Sequence, residues 1–213
     1  TLPDFLLTQQ MLGIRIASLT HVKQEGRRLF VDGKPIRRIY NRVIPNELVA
    51  KKIRSPFDFR ADLDVEWAGH PNWFFRLGKF SLPWFKHPSV PKTWFLHELR
   101  KFPNDLSRYV LKPLFSFTGQ GVMIGPAQAQ IEAIPLPERQ NYILQEKMHF
   151  VSTVHTPAGP TKVEIRILYI RHRGKLRAIT SAIRMGGGKM MGVEFNQDQD
   201  WIGASAGFFP TPS

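Results

Sequence analysis

The stretch from Tyr109 to Ile124 reads YVLKPLFSFTGQGVMI and places one lysine between two apolar runs. Lys112 and a proline end the first run, and a turn containing Gly119 and Gly121 precedes the second. Backbone N–H groups of a glycine-containing turn can converge on phosphate oxygens, because glycine lets the chain approach without a Cβ clash. A lysine at the end of the preceding strand can contact the same phosphate. The pattern fits either a phosphate-binding loop or a hairpin turn that happens to carry a lysine.

Two further patterns place polar side chains two residues apart, and therefore on one face of a strand. Glu164 and Arg166 form the first, which fits either a functional pair or ordinary pairing across a sheet. Glu194 and Asn196 form the second, and carboxylate and amide oxygens are ligands that Mg²⁺ accepts. The seven histidines have no metal-ligand spacing.

A carboxylate-rich stretch and an aromatic-rich stretch overlap in the middle of the chain. The first contains Asp58, Asp62, Asp64, Glu66 and His70. We expect a solvated loop there in preference to a metal or substrate site. The second contains Trp67, Trp73, Phe74, Phe75, Trp84 and Phe85. We expect these rings to pack in a core or between domains, in preference to stacking on nucleic-acid bases.

The charge balance is strongly basic, with 30 Lys and Arg against 17 Asp and Glu and a formal net charge of +13. Such a chain attracts polyanions: nucleic acid, an anionic membrane surface or phosphorylated small molecules. The content of 42% apolar and 22% charged residues is that of a globular protein. No apolar run or leader pattern predicts a membrane span or signal peptide. The lack of cysteine excludes thiolate chemistry and favours a cytoplasmic location.

Turn residues and periodicity predict the elements of the first half of the chain. Residues 27–44 read as two strands joined by a turn at Asp32–Gly33. Residues 45–60 read as a helix that ends before Pro56, and residues 92–102 read as a short helix.

The second half reads as strand-rich. Strands flank the lysine-containing loop, residues 127–134 form a short helix, and residues 141–148 form a buried strand. Residues 161–170 and 175–185 alternate between apolar and polar side chains, which predicts an antiparallel hairpin around an Arg173–Gly174 turn.

The order and spacing of these motifs resemble the ATP-grasp superfamily of ATP-dependent carboxylate–amine ligases. VLKPLFSFTGQGV is similar to that family's strand ending in Lys-Pro and its glycine-rich loop over the ATP phosphates. YILQEKM resembles its hinge strand beside the nucleoside, and VEIRILYI and AIRMGGG resemble later strands that carry an acid and arginines. RLGKFSLPWF resembles the segment that carries an earlier nucleotide-contacting lysine. The resemblance is clearest over residues 79–184.

The resemblance implies roles for individual residues. ATP phosphates would be held by Lys79, Lys112, Ser116, Thr118, Gly119 and Gly121. The nucleoside would be framed by Gln145, Glu146, Lys147 and Met148. Arg166 and Arg184 would be the catalytic residues that meet the transferred phosphoryl group or the acyl phosphate.

For magnesium, the resemblance implies Glu164, Glu194 and Asn196. Glu194 follows Arg184 by only ten residues, which is closer than the family pattern. The same segment also resembles family members that place an asparagine near the substrate there. In that alternative, the chain ends before the metal-binding strand. The chain begins with Thr, as a processed or truncated product would.

We therefore predict an α+β, ATP-grasp fold with two α+β lobes that enclose ATP, preceded by a small partial α/β domain. The predicted boundaries are 1–78 for the preceding domain, 79–150 for the lobe with the glycine-rich loop, and 151–213 for a second lobe, either complete or incomplete. The implied activity uses ATP and Mg²⁺ to join a carboxylate to an amine through an acyl phosphate. The alternatives are a non-catalytic ATP-binding protein and a basic nucleic-acid-binding protein, the latter less favoured. No membrane partner is predicted.

Overall fold

The structure is a computed structural model that describes residues 2–116, 119–157, 159–188, 190–191, 196 and 203–208. The chain divides into two compact units, residues 1–90 and residues 91–213. Both contain helices and antiparallel strands, so the α+β class is confirmed. No described helix is long and apolar enough to cross a membrane. The predicted domain boundaries after residues 78 and 150 stay predictions.

Short helices and strands alternate in the N-terminal unit. They are α1 (Leu2–Leu12), β1 (Lys23–Glu25), β2 (Arg28–Val31), β3 (Lys34–Ile36), β4 (Arg38–Tyr40), α2 (Pro45–Ala50), β5 (Glu66–Ala68) and α3 (Asn72–Arg76). Strands β1, β2 and β3 form an antiparallel sheet in that order, whereas β4 and β5 pair in parallel. Two 3₁₀ helices cover Leu19–His21 and Lys79–Trp84.

The predicted Asp32–Gly33 turn joins β2 to β3. Both residues have positive φ, 48° and 72°, as a two-residue hairpin turn of the right twist requires. Leu29 and Val31 of β2 point into a small core that also contains Val22 and Phe57. The turn chemistry and the alternation of β2 therefore agree, and the hairpin of β2 and β3 is confirmed. The second predicted strand is broken at Arg37, because β4 pairs with β5 instead.

The helix predicted over residues 45–60 is much shorter in the structure. Helix α2 ends at Ala50, and Lys52 already has a φ of 54°. Phe57 is 7% exposed and belongs to the core cluster. Reaching that core requires the chain to leave the helix before Pro56, so tertiary packing overrides the helical pattern.

The carboxylate-rich stretch is exposed and ion-paired, as predicted for a solvated loop. Arg27 bonds both Asp62 and Asp64 at 3.0 Å, and Asp58 pairs with Arg60 at 2.9 Å. Side-chain hydrogen bonds from Arg60 lower the pKa of Asp58. Exposed pairs of this kind contribute little to stability.

The prediction for the aromatic stretch is only partly correct. Trp67 packs against the small core, in contact with Phe59. Trp73, Trp84 and Phe85 are instead 59%, 58% and 56% exposed. Trp73 lies in α3, whereas Trp84 ends a 3₁₀ helix and Phe85 follows it, so the three rings do not share one regular element.

The C-terminal unit is built mainly from strands. Its elements are β6 (Thr93–Phe95), β7 (Tyr109–Pro113), β8 (Met123–Ile124), α4 (Gln128–Glu132), β9 (Tyr142–Glu146), β10 (Val154–Thr156), β11 (Gly159–His172), β12 (Lys175–Gly186) and β13 (Gly203–Ala206). One antiparallel sheet has the order β6-β9-β7-β8, and the other has the order β10-β11-β12-β13. The 3₁₀ helices are Leu96–Glu98, Leu106–Arg108 and Leu136–Asn141.

The sheet β6-β9-β7-β8 packs one face on an apolar core. Leu111 of β7 pairs with Leu144 of β9, and both are fully buried. They belong to one cluster with Leu96 and with Ile131 of α4. The predicted strands on either side of the lysine-containing loop, the helix within residues 127–134 and the strand within residues 141–148 are confirmed.

The short helix predicted over residues 92–102 is wrong. Thr93–Phe95 forms strand β6 and pairs with β9, and a 3₁₀ turn follows. Apolar residues at helical spacing fit both structures over so short a stretch. The edge of β9 decides the outcome, because its backbone groups need partners.

Strands β11 and β12 form the long hairpin predicted from their alternation. The turn at Arg173 and Gly174 has φ values of 48° and 78°, again as a two-residue turn requires. Beyond the first few pairs, apolar side chains of both strands stay exposed: Ile165 is 64% exposed and Leu176 is 65% exposed.

Candidate functional site

Lys112 lies on β7, on the face of its sheet that points away from the core containing α4. It pairs with Ile143 of β9, and Gln145 lies two residues further along β9 on the same face. The Lys112 Nζ donates a hydrogen bond to Gln145 Oε1 at 2.6 Å. Gln145 is 4% exposed, so this contact is shielded from water.

Thr93 fixes the orientation of the Gln145 amide. Gln145 Nε2 donates to Thr93 Oγ1 at 2.8 Å, and that hydroxyl donates to the carbonyl of Pro91 at 2.9 Å. Because the amide nitrogen is committed to Thr93, the amide oxygen points to Lys112. Sequence analysis missed Thr93, since it lies 52 residues from Gln145 and only the sheet register brings the two together.

The Lys112 ammonium is half-buried without a carboxylate partner among the described residues. Burial lowers the pKa of Lys112. A neutral amide compensates the loss of water less well than an anion does. The position therefore favours a negatively charged ligand.

The loop after β7 folds back onto Pro113. Ser116 Oγ is 3.5 Å from the Pro113 carbonyl, at the limit of a hydrogen bond. Gly119 and Gly121 have φ values of 84° and 69°, a region that favours glycine. A Cβ on Gly121 would lie 2.8 Å from Pro113 Cγ. Thr118, the other predicted loop residue, lies outside the described residues.

The predicted hinge residues lie at the end of β9. The backbone N–H of Glu146 donates to Lys92 O at 2.9 Å, and that of Lys147 donates to Arg108 O at 2.8 Å. Met148 follows outside the strand and is 50% exposed. The sheet thus occupies the backbone donors of Glu146 and Lys147, and the chain leaves the sheet at Met148.

Glu164 of β11 is the centre of a second charged cluster. It pairs across the hairpin with Arg184, whose Nη2 donates to Glu164 Oε1 at 2.9 Å, and it also accepts from Arg166 Nε. Burial alone raises the pKa of Glu164, but the hydrogen bonds from Arg166 and Arg184 outweigh it and hold that pKa below its usual value. One carboxylate thus faces two guanidinium groups, which leaves a net positive charge.

Arg184 retains one unused donor. Its Nε is buried and has no hydrogen-bond partner within the described part of the chain. Buried donors are usually satisfied, so Arg184 keeps a donor whose partner is not among the described residues. The two arginines predicted to be catalytic, Arg166 and Arg184, both contact the carboxylate of Glu164.

The predicted magnesium residues have other partners where they are described. Asn196 Oδ1 accepts from Gly188 N at 2.9 Å and its Nδ2 donates to Met190 O at 2.8 Å. Glu164 is engaged by the two arginines, and Glu194 lies outside the described residues. Among the described residues, no group of three or more acids and histidines could hold a metal. These contacts do not fit a metal site, and magnesium binding stays a prediction.

Lys79 belongs to the N-terminal unit, where it begins the 3₁₀ helix Lys79–Trp84. Its predicted role beside Lys112 stays a prediction. A cavity in the N-terminal unit is lined by none of the predicted site residues. We locate the candidate site at Lys112 and at Glu164 on chemical grounds, because a large apolar volume is not itself evidence for phosphate binding.

No protein-family model and no curated protein matches the chain. Among solved structures, the chain is similar to a glutathione synthetase-like effector (GSS30) from Globodera pallida in its apo form. The sequence identity is 14% and the TM-score is 0.37. The match covers 87% of this chain and 46% of that chain, so this chain spans less than half of its length. The ATP-grasp architecture stays a prediction, and the function proposed below rests on the residues of this chain.

Proposed function

We propose that this protein binds ATP and joins a carboxylate to an amine through an acyl phosphate. The observation that carries the proposal is the half-buried Lys112 ammonium, whose described partner is the neutral amide of Gln145. It stands at the end of β7, directly before a loop with two glycines at positive φ. A phosphate would supply the missing anion, and the loop could close over it.

The proposed reaction has two steps. A carboxylate oxygen attacks the γ-phosphorus of ATP, the bond to the β–γ bridging oxygen breaks, and ADP leaves. The amine nitrogen then attacks the acyl carbon, phosphate leaves, and the nitrogen loses a proton to solvent. Both steps develop negative charge on phosphoryl oxygens, which positioned cations stabilise.

The arginines of the second cluster are suited to that role. Glu164 holds Arg166 and Arg184 beside each other, and it neutralises only one of their two charges. In the proposal, the Nε of Arg184, which has no hydrogen-bond partner among the described residues, donates to an oxygen of the transferred phosphoryl group. Glu164 acts as a positioning residue, because it contacts the arginines and not the reacting atoms.

Calorimetric titration with Mg-ATP tests the proposal. Lys112→Met removes the charge and keeps an unbranched apolar side chain in the same place. We expect ATP affinity to fall at least about tenfold, since a hydrogen bond to a charged group contributes roughly 1.5–3 kcal/mol. Lys175→Met, at the exposed start of β12, is the matched control and should stay within about twofold of the parent.

Three outcomes would contradict parts of the proposal. If the parent protein does not bind Mg-ATP, the whole proposal fails. If ATP and GTP bind equally, the hinge assignment at Gln145–Met148 fails. If ATP binds but hydroxylamine traps no acyl phosphate from a pool of small carboxylates, the protein is an ATP-binding protein without ligase activity.

Nucleic-acid binding is the second candidate function. The exposed rings of Trp73, Trp84 and Phe85 favour it, together with the net charge of +13. Its mark is salt dependence: the affinity for single-stranded DNA should fall steeply between low and physiological salt. Trp84→Ala should then weaken the binding of DNA without changing the binding of ATP.

A further inference from the structure

The N-terminal unit contains a cavity of about 620 Å³ that the proposed function does not use. Helix α1, the segment after it, strands β3 and β4 and Trp67 surround this cavity. Cavities of about 300–1,000 Å³ are the usual size for small-molecule sites. The volume is therefore large enough for a small organic ligand.

The interior of the cavity is apolar and partly aromatic. Val31 and Phe57, which are 5% and 7% exposed, line it together with Phe59 and Trp67. The ring centroids of Phe57 and Phe59 are 4.7 Å apart, and those of Phe59 and Trp67 are 6.2 Å apart. An aromatic ring or an acyl chain of a ligand could pack against these three rings. An aromatic ring could do so in the edge or offset geometries that aromatic pairs favour.

The charged residues that line the cavity are all basic: Arg15, Lys34, Arg37, Arg38 and Arg42. Three of them are ion-paired with carboxylates outside the lining, namely Arg15 with Asp32, Arg38 with Glu66 and Arg42 with Asp4. No described residue forms an ion pair with Lys34 or Arg37. The lining therefore keeps two positive charges without a carboxylate beside an apolar interior.

We propose that this cavity binds a small organic carboxylate with an aromatic or acyl body. The apolar part would lie against the ring row of Phe57, Phe59 and Trp67, and the carboxylate would meet Lys34 and Arg37. Burial of apolar surface would supply most of the affinity, and the two cations would make an anionic ligand bind more tightly than a neutral ligand of the same shape. The proposal does not depend on ATP binding.

Fluorescence titration of the full chain with anilinonaphthalene sulfonate, displaced by naphthoate, tests this proposal. The neutral naphthalenemethanol has the same ring system and serves as the matched ligand. Naphthoate should displace the probe at least about tenfold better, because only it can accept charge-assisted hydrogen bonds. The double substitution Lys34→Gln and Arg37→Gln should remove this preference and leave naphthalenemethanol within about twofold.

Two further variants locate the site. Lys23→Gln with Arg28→Gln removes two exposed cations of β1 and β2 that do not line the cavity, and it should leave the preference for naphthoate intact. Ala17→Phe adds a ring inside the cavity and should abolish displaceable probe binding.

The proposal is overturned by equal displacement by the two ligands, or by an unchanged preference after Lys34 and Arg37 are replaced. Probe binding that survives Ala17→Phe places the probe elsewhere and also overturns it. Sedimentation tests one further outcome. If the parent chain is a dimer and only Ala17→Phe makes it monomeric, the cavity binds a second copy of the chain and the proposal is overturned.

Discussion

The two sheets of the C-terminal unit bury the apolar residues of their strands to different extents. In β6-β9-β7-β8, Leu111, Ile143 and Leu144 are fully buried. In the β11–β12 hairpin, Ile165 and Leu176 remain 64% and 65% exposed. Alternate residues of a strand face opposite sides of a sheet, so the burial of the consecutive residues Ile143 and Leu144 shows that both faces of β9 are covered there. Helix α4 covers the face of Leu111 and Leu144 through Ile131.

The charged residues of the two sheets also differ, in the partners that each one has. The first sheet holds Lys112 half-buried against one neutral amide. The hairpin holds Glu164 between two guanidinium groups near the base of its strands. Both arrangements leave a net positive charge among the described residues: Lys112 has no acid beside it, and Glu164 is one acid for two cations. The three predictions that follow test this contrast.

The largest expected effect concerns the apolar residues. Leu144→Ala removes a fully buried side chain and should lower the free energy of unfolding by about 2–5 kcal/mol. Leu168→Ala on the hairpin, at a position 50% exposed, should cost much less, about 0.5 kcal/mol. Urea unfolding of the two variants measures the difference. Similar losses would mean that the hairpin is covered in solution.

The next effect concerns the support of Lys112. Thr93→Val keeps the shape of the side chain but leaves the buried Gln145 Nε2 without its acceptor, which should cost about 1–3 kcal/mol. ATP affinity should fall severalfold as well, because the amide oxygen is no longer held toward Lys112. Thr93→Ser keeps the hydroxyl and should restore most of both losses. If it does not, the methyl group and not the hydrogen bond is what matters.

The smallest effect concerns Glu164. Its pKa is lowered in the folded state, so its interaction stabilises the protein above the ordinary pKa of Glu, about 4.3. This contribution is lost as the pH falls through the lowered value. Glu164→Gln should therefore lower the free energy of unfolding by about 1 kcal/mol at neutral pH and by almost nothing well below pH 4. Urea unfolding of the parent and the variant at the two pH values measures this difference.

The control for this variant is Glu66→Gln, which breaks the surface pair with Arg38. The two side chains of that pair are 72% and 73% exposed. The free energy of unfolding should therefore change by less than about 1 kcal/mol at any pH. A pH-independent effect of Glu164→Gln would contradict the assignment of its stabilising role to the ionised carboxylate.

The sequence by itself determined the local geometry of several elements. Asp32–Gly33 and Arg173–Gly174 specify two-residue turns, because glycine and a preceding residue that tolerates positive φ suffice to form them. Alternation then fixed which residues of β7 and β9 share a face, whereas the pairing of β11 with β12 shifts by one residue between Leu168 and Tyr169. The placement of Arg166 beside Glu164 follows from spacing alone.

Tertiary structure decided everything that depends on distant partners. Residues 92–102 have a helical pattern, yet Thr93–Phe95 became a strand because β9 offered an edge. Whether the apolar side chains of a strand are buried depended on what packs against them, as α4 packs on the face of Leu111 and Leu144. Lys112 bonds Gln145, which lies 33 residues later in the chain, and Gln145 bonds Thr93, which lies 52 residues before it. Hydrogen bonds of this kind depend on sheet register, which is a property of the assembled strands and of no single segment.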